Sequence, residues 1–335
     1  MEQDRPIVVA GAGSIGCYVG GVLASAGRRV SLLARPRVIA EIEQFGLTLT
    51  SLEGASWHVA SQQIMLSGDP KILADAGTVL VTVKSADTAA IADVIAQYAP
   101  ADAVIVSFQN GIGNVPVLRE RLRGRTVLAG MVPFNVVSKG EGRFHRATSG
   151  DIAIERDAAD TAAQLAIPAL AMRGTADITG VQWGKLLVNL NNAINALSGL
   201  PLREQLSRRD WRRLFADQIA EGLAVVKAEG ISPVSPTPVP SKWVPHLLRL
   251  PDALFAIALA PAMKIDPQAR SSMWEDLERR RSTEIDYLQG VITAMADRHK
   301  LDAPLSRRIV ALVKAAEAKG AGSPRLSVAQ IRSGV

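Results

Sequence analysis

Three groups of residues have the types and spacing for chemistry. The first is Gly11-Ala12-Gly13-Ser14-Ile15-Gly16, which follows the apolar run Pro6 to Ala10 and opens a helical stretch. In that context Gly11 permits a tight turn, Gly13 lets a pyrophosphate approach the backbone, and Gly16 lets the helix pack closely on the strand. Free N–H groups at the helix start then face the phosphate charge, so Gly11, Ala12, Gly13, Ser14, Ile15 and Gly16 are candidates for holding a dinucleotide. The next apolar run, Val30 to Ala34, ends in Arg35-Pro36-Arg37, with no acid to bond a ribose 2′-hydroxyl. Arg35, with Arg37 as the weaker candidate, offers a fork suited to a 2′-phosphate, which favours NADPH/NADP over NAD. A pair of solvated arginines at a strand end is the alternative.

The second group lies at strand ends. In an open α/β sheet ligands sit beyond the carboxyl ends of the strands, which puts Lys84, after Thr78 to Val83, and Asn110, after Ala103 to Phe108, near the cofactor. A solvated strand terminus at Lys84 and a simple turn at Asn110-Gly111 are the competing readings. The third group is Trp183 to Asn195, where Asn189, Asn191, Asn192 and Asn195 crowd a helical stretch. Asn is a poor helix former and a poor core residue unless hydrogen-bonded. Lys185 and Asn189, four apart, would project donors from one helical face into a cleft, and a polar surface face has an equal claim.

The elements that must position these residues fall into two halves. Up to about residue 177 short β-rich runs alternate with helical ones, including Ala86 to Tyr98 and Val127 to Val132. Segments around 47–50, 63–66, 142–145 and 151–154 are read as hairpin or edge strands. Continuous apolar strands alternating with helices mark a doubly wound, mostly parallel sheet, a Rossmann domain over 1–177. From 178 to 335 helical periodicity takes over, at Val181 to Leu197, Arg209 to Glu229, Ser282 to Arg298 and Leu305 to Lys319, predicting an all-α domain. Pro233, Pro236, Pro238, Pro240 and Pro245 make 232–245 an extended loop, read as a connector, and the residues after Gly320 read as a loosely held end. A Rossmann half followed by a helical half is common among nicotinamide-dependent reductases, with the active site in the cleft between them.

Composition narrows the classes. The 335 residues are 48% hydrophobic and 21% charged, which supports cores in both halves and excludes disorder. The 38 Lys and Arg against 32 Asp and Glu are spread out, and the clusters at Arg208 to Arg213 and Arg279 to Arg281 read as solvated helix faces. Only 4% of residues are aromatic, so no nucleic-acid partner is expected, and a small anionic substrate fits better. Pro6 enters the first strand without room for a signal peptide, and no apolar stretch is long enough for a bilayer; a soluble cytoplasmic protein with no membrane partner is expected. The single cysteine, Cys17, reads as a packing residue, and His58, His145, His246 and His299 show no ligand spacing, so no metal site is expected. Apolar helix faces in the second half make a homodimer an open expectation.

Taken together, the pieces resemble the ketopantoate reductases (2-dehydropantoate 2-reductases) over nearly the whole length. The resemblance is carried by GAGSIG with Arg35, Val81-Thr82-Val83-Lys84, Gln109-Asn110-Gly111, Trp183-Gly184-Lys185 leading to Asn195-Ala196-Leu197, and Ser271 to Asp276 followed by Thr283-Glu284-Ile285-Asp286. It implies NADPH-dependent reduction of ketopantoate to pantoate in pantothenate biosynthesis, with Lys185 as general acid. Glu284 would contact substrate, and Asn110, Asn189 and Ser272 would line the substrate site. Glu284 alone would read as an exposed acid on an arginine-rich helix. The family usually places a second substrate asparagine four residues after the first, where this chain has Ala193; Asn192 and Asn195 both remain candidates. Another branched 2-oxo acid as substrate, or a nonenzymatic NADP(H) sensor, are the rival functions.

Overall fold

Short apolar runs separated by glycine turns become strands that pair in register. The computed structural model describes residues 5–236, 239–259 and 269–333. They fall into two compact units, Met1–Ile178 and Thr179–Val335.

The first unit contains β1 (Ile7–Ala10), β2 (Val30–Leu33), β3 (Leu47–Ser51), β4 (Ser56–Val59), β5 (Met65–Ser67), β6 (Thr78–Val81), β7 (Val104–Ser107), β8 (Val127–Met131), β9 (Val136–Gly140), β10 (Arg143–Arg146), β11 (Ile152–Glu155) and β12 (Met172–Thr175). Eight of them form one sheet in the order β12-β11-β8-β7-β6-β1-β2-β5. All its neighbours are parallel except β11, which runs against β8. The order reverses between β1 and β6, the switch point where doubly wound sheets bind ligands. Every residue of β1 is buried, as a strand covered on both faces requires.

A second sheet, β4-β3-β10-β9, uses segments expected to be hairpin or edge strands. The hairpin reading holds, since β3 pairs antiparallel with β4 and β10 with β9, but β3 and β10 are also the two inner strands of this sheet, parallel to each other although nearly a hundred residues apart in sequence. The helix Ser14–Ser25 packs between the sheets and is buried from Gly16 to Ala24. Gly20 faces Leu32, Val9 and Val30 of the large sheet, while Gly21 faces Leu49 and Leu47 of the small one. Absent side chains there let the helix touch both sheets.

The second unit is helical. The stretch expected as one helix from Val181 to Leu197 is two, Ile178–Asn189 and Asn191–Ser198, broken at Leu190. Gln289 Nε2 donates to the Leu190 carbonyl at 2.7 Å, a bond from another helix at the break. The stretch from Ser282 becomes a 3₁₀ turn, Ile285–Tyr287, and then the helix Gln289–Arg298. The proline-rich loop ends earlier than expected: Pro245 occupies the first turn of the helix Val244–Leu248, where its missing N–H costs nothing. Pro238 lies outside the described residues.

Two other expectations are corrected. Arg212 is fully buried rather than solvated, donating to the carbonyls of Leu206, Ser207, Leu248 and Leu250 and to Asp252, with its guanidinium 4.0 Å from the Phe255 ring centre. The segment after Gly320 is held, not loose. Ser323 Oγ donates to Ala196 O at 2.6 Å, and Leu326 N–H donates to Leu197 O at 2.8 Å. Ile331, in the helix Val328–Ser333, is fully buried, and Arg332 pairs with Asp217 at 2.5 Å. Among the described residues no helix is long and apolar enough to cross a membrane.

Candidate functional site

The glycine series forms a cradle whose three glycines do different things. Gly11 has φ +111°, and a Cβ there would sit 2.7 Å from Val83 N. Thr82 Oγ1 donates to the Gly11 carbonyl at 2.5 Å, tying the loop to the end of β6. At Gly16 a Cβ would meet Gly11 O at 2.4 Å and Val9 at 2.9 Å, so the helix start is pressed against the strand. Gly13 differs: a Cβ would meet nothing of the protein within 4 Å. The loop is thus closed on its protein side and open over Gly13. No acid lies in the first turn of the Ser14–Ser25 helix, and no side chain caps it, which leaves its first N–H groups for a ligand. The cradle fits a dinucleotide pyrophosphate.

Arg35 lies two residues past the end of β2 and caps the helix Pro36–Phe45. Its side chain is 87% exposed, and its ion pair with Asp87 spans 3.7 Å, a loose surface pair. Arg37 pairs with Glu41 at 3.2 Å on its own helix. Cys17 is buried with Sγ 3.5 Å from Ala12 O, and burial pushes its thiol up to about 12, so it stays protonated.

Lys84 and Asn110 are exposed on two loops that a buried polar network joins. Gln109 Nε2 donates to Val83 O at 3.2 Å and to Thr88 Oγ1 at 2.8 Å. Asn114 Nδ2 donates to Asn110 O at 2.6 Å and to Ser85 Oγ at 3.3 Å, and its Oδ1 lies 2.8 Å from Thr88 Oγ1. Gln109, Asn114 and Thr88 therefore fix the backbone from which Lys84 and Asn110 project. Sequence reasoning missed Asn114; its signal is an amide four residues after Asn110, at the start of the helix Asn114–Arg121.

The other candidates lie in the second unit. Lys185 and buried Asn189 lie one turn apart on the helix Ile178–Asn189. Burial lowers the Lys185 ammonium to about 8, because a charge loses hydration there. The proline-rich loop packs on the neighbouring face: Val234 N–H donates to Gly180 O at 2.8 Å, and a Cβ on Gly184 would lie 1.7 Å from Val234 O. That loop is a strap on the helix carrying Lys185, not a plain connector.

Ser272 is exposed at the first position of the helix Ser272–Glu278, whose cap is Ser271. Ser271 Oγ donates to the carbonyl of Asn192, a half-buried residue on the Asn191–Ser198 helix. Glu284 is half-buried and precedes the 3₁₀ turn rather than sitting mid-helix. Gln289 ties that region to Leu190, one residue beyond Asn189. Asn195 stands apart from the candidates with access to a ligand. It is fully buried, and its amide bonds Leu200 O, Gln205 Oε1 and Ser271 N–H, so it belongs to the framework. Gln205 and Gln289 had no local signal, since an isolated glutamine in a helix reads as solvated.

A family model described as ketopantoate reductase PanE/ApbA matches residues 7–158, and the model of its C-terminal part matches residues 177–317. Over 323 residues the chain is 30% identical to the 2-dehydropantoate 2-reductase of Halobacterium salinarum, covering 94% of this chain and 99% of that one. It is similar to the crystal structure of a PanE/ApbA family ketopantoate reductase from Ralstonia eutropha, with TM-score 0.80, 30% identity and coverage of 94% and 99%. At 20% identity, where likeness shows the fold alone, it is similar to D-mandelate dehydrogenase solved with NADH and anilino(oxo)acetate, with TM-score 0.78 and coverage of 94% and 99%.

Proposed function

The chain belongs to the ketopantoate reductase PanE/ApbA family of oxidoreductases, and from that membership we propose that it reduces 2-dehydropantoate to pantoate with NADPH, in the cytoplasm, as a step of pantothenate biosynthesis. The observation that carries the reading is Lys185, an ammonium lowered to about 8 by burial, one helical turn from buried Asn189. An acid poised near the working pH transfers a proton efficiently and remains mostly charged at neutrality.

The cradle of Gly11 to Gly16 holds the pyrophosphate against the helix start, and Arg35 exchanges its loose pair with Asp87 for the 2′-phosphate. Lys84 and Asn110, fixed by the buried amides beneath them, bond the cofactor, and Asn110 also reaches substrate. The bound cofactor supplies hydride to the 2-oxo carbon. Lys185 Nζ stabilises the charge that develops on the carbonyl oxygen and then donates its proton to it. Asn189, Asn192 and Ser272 give neutral hydrogen bonds to the substrate, and Glu284 bonds its terminal hydroxyl. Asn195 is assigned no substrate contact, because its amide is engaged inside the protein.

NADPH oxidation across a panel of 2-oxo acids tests this. Ketopantoate should show the highest kcat/KM, above pyruvate and phenylglyoxylate, since a site built to bond a hydroxyl is left with unpaired groups by an analogue without one. Replacing Glu284 with Gln should lower the ratio of kcat/KM for ketopantoate to that for pyruvate. A higher kcat/KM for another branched acid would move the assignment to that substrate, and no turnover with any would favour a cofactor sensor. For the assembly we propose a homodimer through the helix Asp252–Leu259, which exposes Leu254 at 53% and Ile257 at 75%.

A further inference from the structure

Buried amides are tolerated where their hydrogen-bonding capacity is used, and the second unit contains a run of them outside the catalytic assignment. Asn195 and Gln205 are fully buried, and Asn191 nearly so. Asn195 Nδ2 donates to Leu200 O at 2.8 Å and to Gln205 Oε1 at 2.9 Å, while its Oδ1 accepts the Ser271 N–H at 2.9 Å. Gln205 Nε2 in turn donates to Asn191 Oδ1 at 3.0 Å. Each amide orientation is fixed by its neighbour, because turning either one over would face donor to donor or acceptor to acceptor.

The run ends on the segment leading into Ser272, which is held from several sides. Leu202 N–H donates to Ala269 O at 2.9 Å, Arg270 Nη1 donates to Gly199 O, and Ser271 Oγ donates to Asn192 O at 2.9 Å. The Arg270 guanidinium also lies 4.5 Å from the Trp274 ring centre. Ser271 is 1% exposed, so its N–H has no water to turn to if Asn195 is removed. The next residue, Ser272, is exposed.

We propose that Asn195, braced by Gln205, is a positioning residue that fixes Ser271 and thereby presents Ser272 to the substrate. This rests on the reading of Ser272 as a substrate contact. A second asparagine after Lys185 then acts on substrate binding without touching the substrate, and its effect appears in KM rather than in proton transfer.

The test is a double-mutant cycle on Ser272→Ala and Asn195→Ala, measuring kcat and KM for ketopantoate and Kd for NADPH. Each single variant should raise KM about tenfold, the loss of one hydrogen bond, with kcat and the NADPH Kd nearly unchanged. The double variant should be no worse than the poorer single one, since both remove the same contact. If the two KM effects multiply, or if Asn195→Ala lowers kcat and NADPH affinity together, the positioning role is overturned while Ser272 keeps its own. If Ser272→Ala leaves KM unchanged, the substrate contact itself fails and the proposal falls with it. Should Asn195→Ala not fold, Gln205→Ala, which removes the brace and keeps the acceptor on Ser271, goes through the same cycle with the same criteria.

Discussion

At the scale of single residues the consequence with most reach is that Lys185, the proposed acid, carries a burial cost. With its ammonium near 8, kcat/KM should be level below that pH and fall about tenfold per unit above it, as the proton is lost. A pH profile of NADPH oxidation checks this, and Lys185→Ala should lower kcat by ~10² to 10⁴-fold with the NADPH Kd unchanged. The same shift has a stability sign. Between about 8 and the ordinary 10.5 the folded chain binds fewer protons at this group than the unfolded chain, so its contribution to stability rises with pH across that window. The burial penalty is therefore present at neutrality. Lys185→Met should melt higher than wild type at pH 7, and the difference should shrink by pH 10; equal Tm values at pH 7 would contradict the penalty. Arg35→Ala should reduce the preference for NADPH over NADH by roughly 10- to 100-fold, the loss of a charge-assisted contact, measured as a ratio of Kd values.

Among the elements, two helix attachments carry loads that substitutions can measure. Gly184→Ala should force the 233–235 strap off the Ile178–Asn189 helix and cost about 1–3 kcal/mol, read from denaturant unfolding. Arg212→Ala should cost roughly 3 kcal/mol or more, because the carbonyls of Leu206, Ser207, Leu248 and Leu250 lose their shared donor. These loads also mark where sequence reading succeeded and failed. β12, at the edge of the large sheet, went unread, whereas the strands β1, β2, β6, β7 and β8 were legible because continuous burial writes itself as continuous apolar residues, as in Ile7 to Ala10 and Val79 to Val81. The parallel pairing of β3 with β10 was not, since nothing local relates segments so far apart. A lone arginine among exposed ones, such as Arg212, carries no mark of burial. Lys185 and Asn189 could be placed on one face from spacing alone, whereas the break at Leu190 is met by Gln289, about a hundred residues later, and leaves no local signal. That is why the asparagines beyond it could not be assigned by counting helical turns.

For the whole molecule, Ile257→Asp should lower the mass seen by sedimentation or light scattering if the Asp252–Leu259 helix joins two copies; an unchanged mass would place any assembly surface elsewhere. The held segment after Gly320 has a different consequence, for the order in which the chain matures on the ribosome. The first unit closes within residues up to Ile178, so its sheet can form while the rest is still being translated. The Asn191–Ser198 helix has no such independence. Its last carbonyls, at Ala196 and Leu197, wait for Ser323 and Leu326, and Asp217, already paired with Arg249, gains its second arginine only with Arg332. The nascent chain should thus acquire its glycine cradle early and its completed helical unit only after the segment through Arg332 has cleared the exit tunnel.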